Sequence, residues 1–259
     1  MPRPYPVRSR FFRLWTGLVL LVLHASFLTA ATPLPAGLQG VTEPVEDVLL
    51  STAVAGTIAA VNVKEGAMVK KGTVLLELDK ARETLDVTRR RIARDLLAIE
   101  LERTRQLFGS SSSVPKEELD KKEAEAAAAV VEHEIALENL RLKLVVSPID
   151  GVVVDVPFAV GEACQALQAV ARVVNTARVR FVSHVLPAEA AGIAVGQTVQ
   201  LEIPGASNTL LHFTGKVTYV APVVDAASGL IRVVAEFSNA DGHVRPGVVG
   251  WLKTESHAR

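Results

Sequence analysis

The sequence predicts an α+β, mostly β chain. A split β-sandwich is interrupted by an antiparallel α-helical coiled-coil hairpin and followed by a small antiparallel β-barrel, behind an N-terminal signal or anchor helix. Three observations carry this prediction. Between Gly72 and Pro148 glycine and proline occur once each, as Gly109 and Pro115. A short β-type segment recurs at an offset of 95 residues, one copy on each side of that gap. Residues 178–255 read as short β runs punctuated by turn residues.

The gap predicts the helices. Glycine and proline cost about 1 and 3 kcal/mol in a helix interior relative to alanine, so their absence marks helix and their joint appearance marks a turn. The turn reads Gly109-Ser110-Ser111-Ser112-Ser113-Val114-Pro115, with Gly109 suited to a left-handed C-cap and Pro115 to the first turn of the next helix. Each arm is about 45 Å long. Steps of four and three run Leu119, Glu123, Ala126, Val130, His133, Leu137, Leu140, Leu144 in the second arm. They run Leu85, Arg89, Ile92, Leu96, Ile99, Arg103 in the first. These lists are the expected seam. The first arm (80–108) carries eight basic and five acidic residues and the second (116–143) five and eight, so the arms complement one another.

The repeat supplies a base for the arms. Ala55-Gly56-Thr57-Ile58 aligns with Asp150-Gly151-Val152-Val153. At the same offset Gly66 falls on Gly161, Val69 on Cys164 and Leu78 on Val173. Each copy is too small to bury its own apolar face, so the two are expected to close on each other about a pseudo-twofold. Further on, Val179–Val182, Thr198–Ile203 and Ile231–Phe237 are β-type runs. Asn208, Ser228-Gly229 and Asp241-Gly242 supply turns, and 187–191 suits one short helix. That is a small antiparallel barrel or sandwich.

The expected division is 1–31 signal peptide or anchor, 32–48 linker or N-terminal strand, 49–79 with 144–176 the split sandwich, 80–143 the hairpin and 177–257 the barrel. Residues 1–13 hold four arginines and no acid, Leu14 to Ala31 is apolar, and Thr29-Ala30-Ala31 suits signal cleavage, so the remainder is expected to be exported. The 28 basic and 28 acidic residues balance, and only seven aromatics lie beyond residue 32. Neither property favours nucleic acid.

Val54-Ala55-Gly56-Thr57-Ile58 through Val74-Leu75-Leu76-Glu77-Leu78-Asp79 resembles the first half of a biotinyl/lipoyl domain, and Val146-Ser147-Pro148-Ile149-Asp150-Gly151-Val152-Val153 the second. A lipoyl-like domain split by an α-hairpin is similar to the HlyD-like membrane-fusion proteins, the periplasmic adaptors of tripartite (RND-type) efflux pumps. Gly192-Ile193-Ala194-Val195-Gly196, Gly215–Asp225 and Val244-Arg245-Pro246-Gly247-Val248 resemble parts of their barrel. The resemblance covers about residues 48–255. It implies an inner-membrane transporter (RND or another exporter) and an outer-membrane efflux channel as partners, a homo-oligomeric ring, hexameric in the family, and a periplasmic place at the inner membrane. It also implies that the hairpin tip meets the channel through an arginine, a leucine four residues on and a serine across the turn. Arg103 and Leu107 match the first two. Val114 or Pro115 stands at the usual serine place in this longer turn, and Ser113 is taken for that role. Many adaptors continue past the barrel into a membrane-proximal domain, to which only residues 32–48 are expected to correspond here.

No catalytic, cofactor-binding or metal-binding residues are expected, and the protein is not expected to be an enzyme. Asp79-Lys80-Ala81 resembles a lipoate-acceptor tripeptide, but Lys80 opens a helix where a carrier lysine needs a tight β-turn. Cys164, the sole cysteine, falls on Val69 of the other copy and is expected to be buried. The histidines show no ligand spacing, and His133 is expected in the seam opposite the arginines near residue 90. Two other classes fit the sequence: an exported coiled-coil structural or sensory protein without a pump, and a lipoyl-type carrier.

Overall fold

The computed structural model describes residues 37–111, 114–205 and 209–253. The expectations for residues 1–31, Ser113 and Asn208 lie outside the described residues. Twelve strands and three helices are described: β1 (Leu38–Ser51), β2 (Gly56–Val61), β3 (Met68–Val69), β4 (Val74–Leu78), α1 (Ala81–Ser111), α2 (Lys116–Arg141), β5 (Leu144–Val146), β6 (Gly151–Asp155), β7 (Ala163–Cys164), β8 (Ala169–Val185), α3 (Pro187–Ala190), β9 (Thr198–Pro204), β10 (Leu210–Val220), β11 (Ile231–Ser238) and β12 (Val249–Lys253). The chain is mostly β, as the sequence predicts.

The sandwich obeys the 95-residue repeat pair by pair. One sheet runs β5-β4-β2-β7 and the facing strands run β1-β8-β6-β3, the same order with each strand replaced by its equivalent. Glu77 pairs with Leu144, and its equivalent Arg172 with Leu49. Ala60 pairs with Glu77, and Asp155 with Arg172, each after a register shift at the same place. The turns match too. Gly72 donates its N–H to the Ser147 carbonyl at 2.7 Å, and Leu167 to that of Thr52, also at 2.7 Å. Gly66 and Gly161 both have positive φ, at 81° and 95°. One conformational departure is Leu167, which takes the place of Gly72 and holds φ at 63°, a left-handed setting that costs a leucine about 1–2 kcal/mol.

Each copy lends a short strand to the other's sheet: β7 pairs with β2, and β3 with β6. Neither half can complete a sheet alone. Between the sheets lie Ile58, Leu75, Leu76, Leu78, Val153, Val170 and Val173. Cys164 is buried, as the alignment predicts, in the same cluster as Val69, with its thiol 3.4 Å from the Gly56 carbonyl.

The barrel closes six strands in the order β1-β12-β9-β10-β11-β8, with β8 returning to β1. Its core is built around Phe181, Leu201, Ile203, Ala235 and Leu252. The Phe181 ring lies over Gly40, where a Cβ would stand 2.6 Å from Cζ, and glycine is required there. Gly40 faces Gly250 across β1 and β12, so one aromatic ring covers two bare backbone positions.

Of residues 32–48, expected as a linker or N-terminal strand, 38–48 belong to β1, and β1 paired with β8 runs through both the sandwich and the barrel. Pairing shifts once between them: Pro44 faces Val179 and Glu46 faces Asn175, leaving residues 176–178 of β8 without partners on β1. The buried Asn239 stitches this stretch. Its Nδ2 donates to the Thr176 and Val244 carbonyls, each at 2.8 Å, and its Oδ1 accepts from the Val244 N–H at 3.0 Å.

Candidate interaction surface: the helical hairpin

α1 and α2 leave from between β4 and β5. These strands pair directly, and the Leu78 N–H donates to the Lys143 carbonyl at 2.8 Å, so both feet are clamped by one β ladder. Lys143 meets Glu83 at 3.2 Å in a largely buried ion pair. Lys80 reaches back to Glu77 at 2.5 Å and sits at the start of α1. With the Asn62 amide, it holds the Glu77 carboxyl below the usual range, Lys80 contributing more.

The helices pack antiparallel. Arg90 meets Glu132, Lys122 meets Glu100 at 3.0 Å and Arg105 meets Glu123 at 2.9 Å. Hydrogen bonds donated by the Lys122 ammonium, to Glu100 first and Glu125 second, keep it protonated to higher pH than usual. The side chains turned inward differ from the expected seam. On α2 the buried residues are Ala126, Ala129, His133 and Ala136, with Leu119, Lys122 and Leu140 half-buried. Every second member of the expected list is right, and Glu123, Val130 and Leu137 give way to their preceding neighbours. On α1 the inward set is Glu83, Val87, Arg90, Arg94, Leu97, Leu101 and Thr104, with Asp86 and Glu100 half-buried beside it, and the expected list is displaced from it by two residues throughout. The physical reason is size. Alanines on α2 admit a close approach, and the arginine stems and two leucines of α1 fill the remaining gap. His133 is a seam residue as expected, with its Nδ1 at 3.2 Å from the Arg94 guanidinium.

The bulky side chains expected inside are outside. Leu85, Ile92, Leu96 and Ile99 are 71%, 62%, 55% and 60% exposed, and all lie on one stripe. Each stands two residues from a seam position, about 200° around the helix. α2 carries a matching outer stripe of Ala124, Ala128, Val131 and Ile135, all exposed. The run of alanines at 126–129 was the signal for the true seam, because small residues mark where helix backbones approach closely.

Arg103 and Leu107 lie one turn apart on exposed positions that continue the α1 stripe toward the tip. Ser113 is outside the described residues, so the three are not brought together here. Gly109, expected as a left-handed cap, lies inside α1, which continues to Ser111. A Cβ at Gly109 would meet nothing within 4 Å, so nothing forces the chain to turn there. Pro115 is the extended N-cap of α2. Among the described residues, no helix is long and apolar enough to cross a membrane, and no cluster of three metal-ligating side chains occurs.

A β-sandwich opened at one strand pair by a helical hairpin, and joined by a shared ribbon to a six-stranded barrel, is the architecture of a membrane fusion protein. The chain belongs to the RND membrane fusion protein (MFP) family: the model of its barrel-sandwich hybrid domain matches residues 46–176, and that of the CusB-like beta-barrel domain matches 178–258. An uncharacterised protein of Haemophilus influenzae is 27% identical over 204 residues, 79% of this chain, and the chain spans only 53% of that relative's length. A chimera of MacA and MexA, carrying the Pseudomonas aeruginosa MexA α-hairpin domain, superposes with a TM-score of 0.70 at 23% identity, over 83% of this chain and 78% of its own. A membrane fusion protein of Streptococcus pneumoniae R6 superposes with a TM-score of 0.66 at 16% identity, over 84% of this chain and 100% of its own. At these identities the two structures speak for the fold.

Proposed function

We propose that the protein is a periplasmic adaptor that bridges an inner-membrane transporter and an outer-membrane channel in an export complex, by assembly and not by catalysis. The observation that carries this reading is the clamped hairpin, a helical pair rooted in a β ladder that keeps bulky apolar side chains on its outer faces. Exposed apolar stripes of this kind mark surfaces meant for other proteins. Family membership supports the same reading, and the basic and apolar residues 1–31 suit export of the rest. Copies assemble side by side into a ring, hexameric by resemblance, with the barrel toward the transporter and the hairpin tip toward the channel. Arg103, Leu107 and Ser113 make the channel contact. The transporter is an RND pump or another exporter.

Photo-crosslinking in native membranes tests this reading. A crosslinker placed at residue 107 is expected to capture an outer-membrane channel, and one on the barrel an inner-membrane transporter. Leu107→Asp or Arg103→Asp is expected to abolish channel capture while transporter capture and helix content stay unchanged. Capture of neither partner overturns the bridging role. A double variant that still captures the channel overturns the tip assignment. Recovery of cytosolic acyltransferases favours a carrier instead.

A further inference from the structure

The six barrel strands alternate in direction, so one end of the barrel collects the start of β1, the end of β8, the start of β9, the end of β10, the start of β11 and the end of β12. This end lies away from the sandwich, because β8 comes from the sandwich and β1 runs toward it. Two connections close it, 186–197 with α3, and 221–230. Glu189 and Asp225 are their only charged residues. Both carboxylates turn back onto their own connection. Glu189 accepts the Leu186 N–H at 2.9 Å, and Asp225 accepts the N–H groups of Ala227 and Ser228 at 3.0 and 2.8 Å. What protrudes is aliphatic. Leu186, Val195, Val223 and Val224 are exposed among exposed prolines and alanines, Val195 by 64% and Val223 by 75%. The connection 239–248 at the opposite end carries Asp241, His243 and Arg245 instead.

We infer that these two connections dip into the interfacial layer of a lipid bilayer, so that the barrel stands on lipid with its open end down. Three features select a lipid surface over a protein. The protruding side chains are aliphatic with no aromatic or arginine among them, whereas the cores of protein interfaces are enriched in aromatics, methionine and arginine. Directly behind the connections stand Tyr219, exposed one residue before the end of β10, and Arg232, exposed at the second position of β11. A tyrosine favours the boundary between headgroups and acyl chains, and a cation there meets lipid phosphate. Finally, the chain enters the barrel at this end. Ala31 closes the apolar stretch of the sequence, and the six links from it to Gly37 reach at most about 20 Å. The inference goes beyond the bridging role and needs neither a transporter nor a channel.

Quenching by lipid-borne nitroxide tests it. The full chain carrying Cys164→Ala is reconstituted alone into vesicles of phosphatidylcholine with one quarter phosphatidylglycerol. A fluorescent dye is attached at Val195→Cys, Val223→Cys or Asp241→Cys, one per sample. Lipids with a nitroxide just below the headgroup are expected to quench the dye at 195 and at 223 by at least half, and the dye at 241 by less than a tenth. Leu186→Asp with Val224→Asp is expected to cut the quenching at 223 at least threefold, with the β signal in circular dichroism kept. Absence of quenching at 195 and 223, equal quenching at 241, or quenching indifferent to the two aspartates overturns the inference. So does a photo-crosslinker at 223 that captures a protein and no lipid in native membranes. Quenching without any transporter or channel captured leaves the lipid contact standing and removes only the bridging role. Capture of both partners without quenching does the reverse.

Discussion

Asn239 donates from Nδ2 to two carbonyls and accepts at Oδ1 from one N–H, all within the junction of barrel and sandwich. Its side chain is buried, 3% exposed, among the groups it serves. Asn239→Ala leaves the Thr176 and Val244 carbonyls and the Val244 N–H without this partner. The expected cost is at least about 2 kcal/mol, because each orphaned buried group costs about 1–3 kcal/mol. Chemical denaturation of purified protein checks this, and an unchanged midpoint refutes it. Nothing in the sequence singled out Asn239. An asparagine near Asp241-Gly242 reads as an ordinary turn residue, and its grip on the junction depends on Thr176, 63 residues away. Cys164 was legible for the opposite reason, since a repeat predicts burial without knowledge of the fold.

The hairpin and the strands that carry it obey different rules, and they were legible to different degrees. The existence and lengths of α1 and α2 follow from the missing glycine and proline. Their antiparallel pairing follows from the short turn. The inward faces did not follow, because steps of four and three share every seventh position with steps of three and four, and side-chain bulk was read as burial. Bulk marks burial only where a helix has a single apolar face. Here the inner face takes alanine, arginine stems, a histidine and four leucines, while the isoleucines and the remaining bulky leucines are kept for the outside. The tip was the least legible part, since Gly109 is a possible cap in any sequence but is helical in this one. The clamp at the feet has its own consequence. β4 and β5 form a ladder that does not depend on the 65 intervening residues. Replacing residues 80–143 by a tight Asn-Gly turn is expected to leave the sandwich and barrel folded, with helical ellipticity lost and the β signal kept. Aggregation or loss of the cooperative transition counts against it.

The pseudo-twofold relates the root of the hairpin to the root of the barrel. Leu78 and Leu144 hold the first, and their equivalents Val173 and Leu49 hold the second. The barrel is thus attached where a second hairpin would otherwise stand. Because β1 and β8 pass through both parts, the barrel and the sandwich are expected to unfold in one transition. In a Trp15→Phe background, fluorescence of Trp251 reports the barrel, and thiol reactivity of the buried Cys164 reports the sandwich. Both are expected to share one denaturant midpoint, and two separated midpoints refute this. The repeat, and through it the sandwich, was legible because 95 residues of offset survive in glycines and small apolar residues. The continuity of the ribbon was not, because residues 38–51 alternate poorly and β8 looks like two strands with a break near Asn175.

The β1–β8 ribbon, shifted in register where Asn239 grips it, carries paired backbone from the sandwich into the barrel. A push or a twist arriving at either end is transmitted along hydrogen-bonded backbone. In the proposed assembly, motion required by a transport cycle is then expected to be taken up between neighbouring copies or by flexing of the slender hairpin.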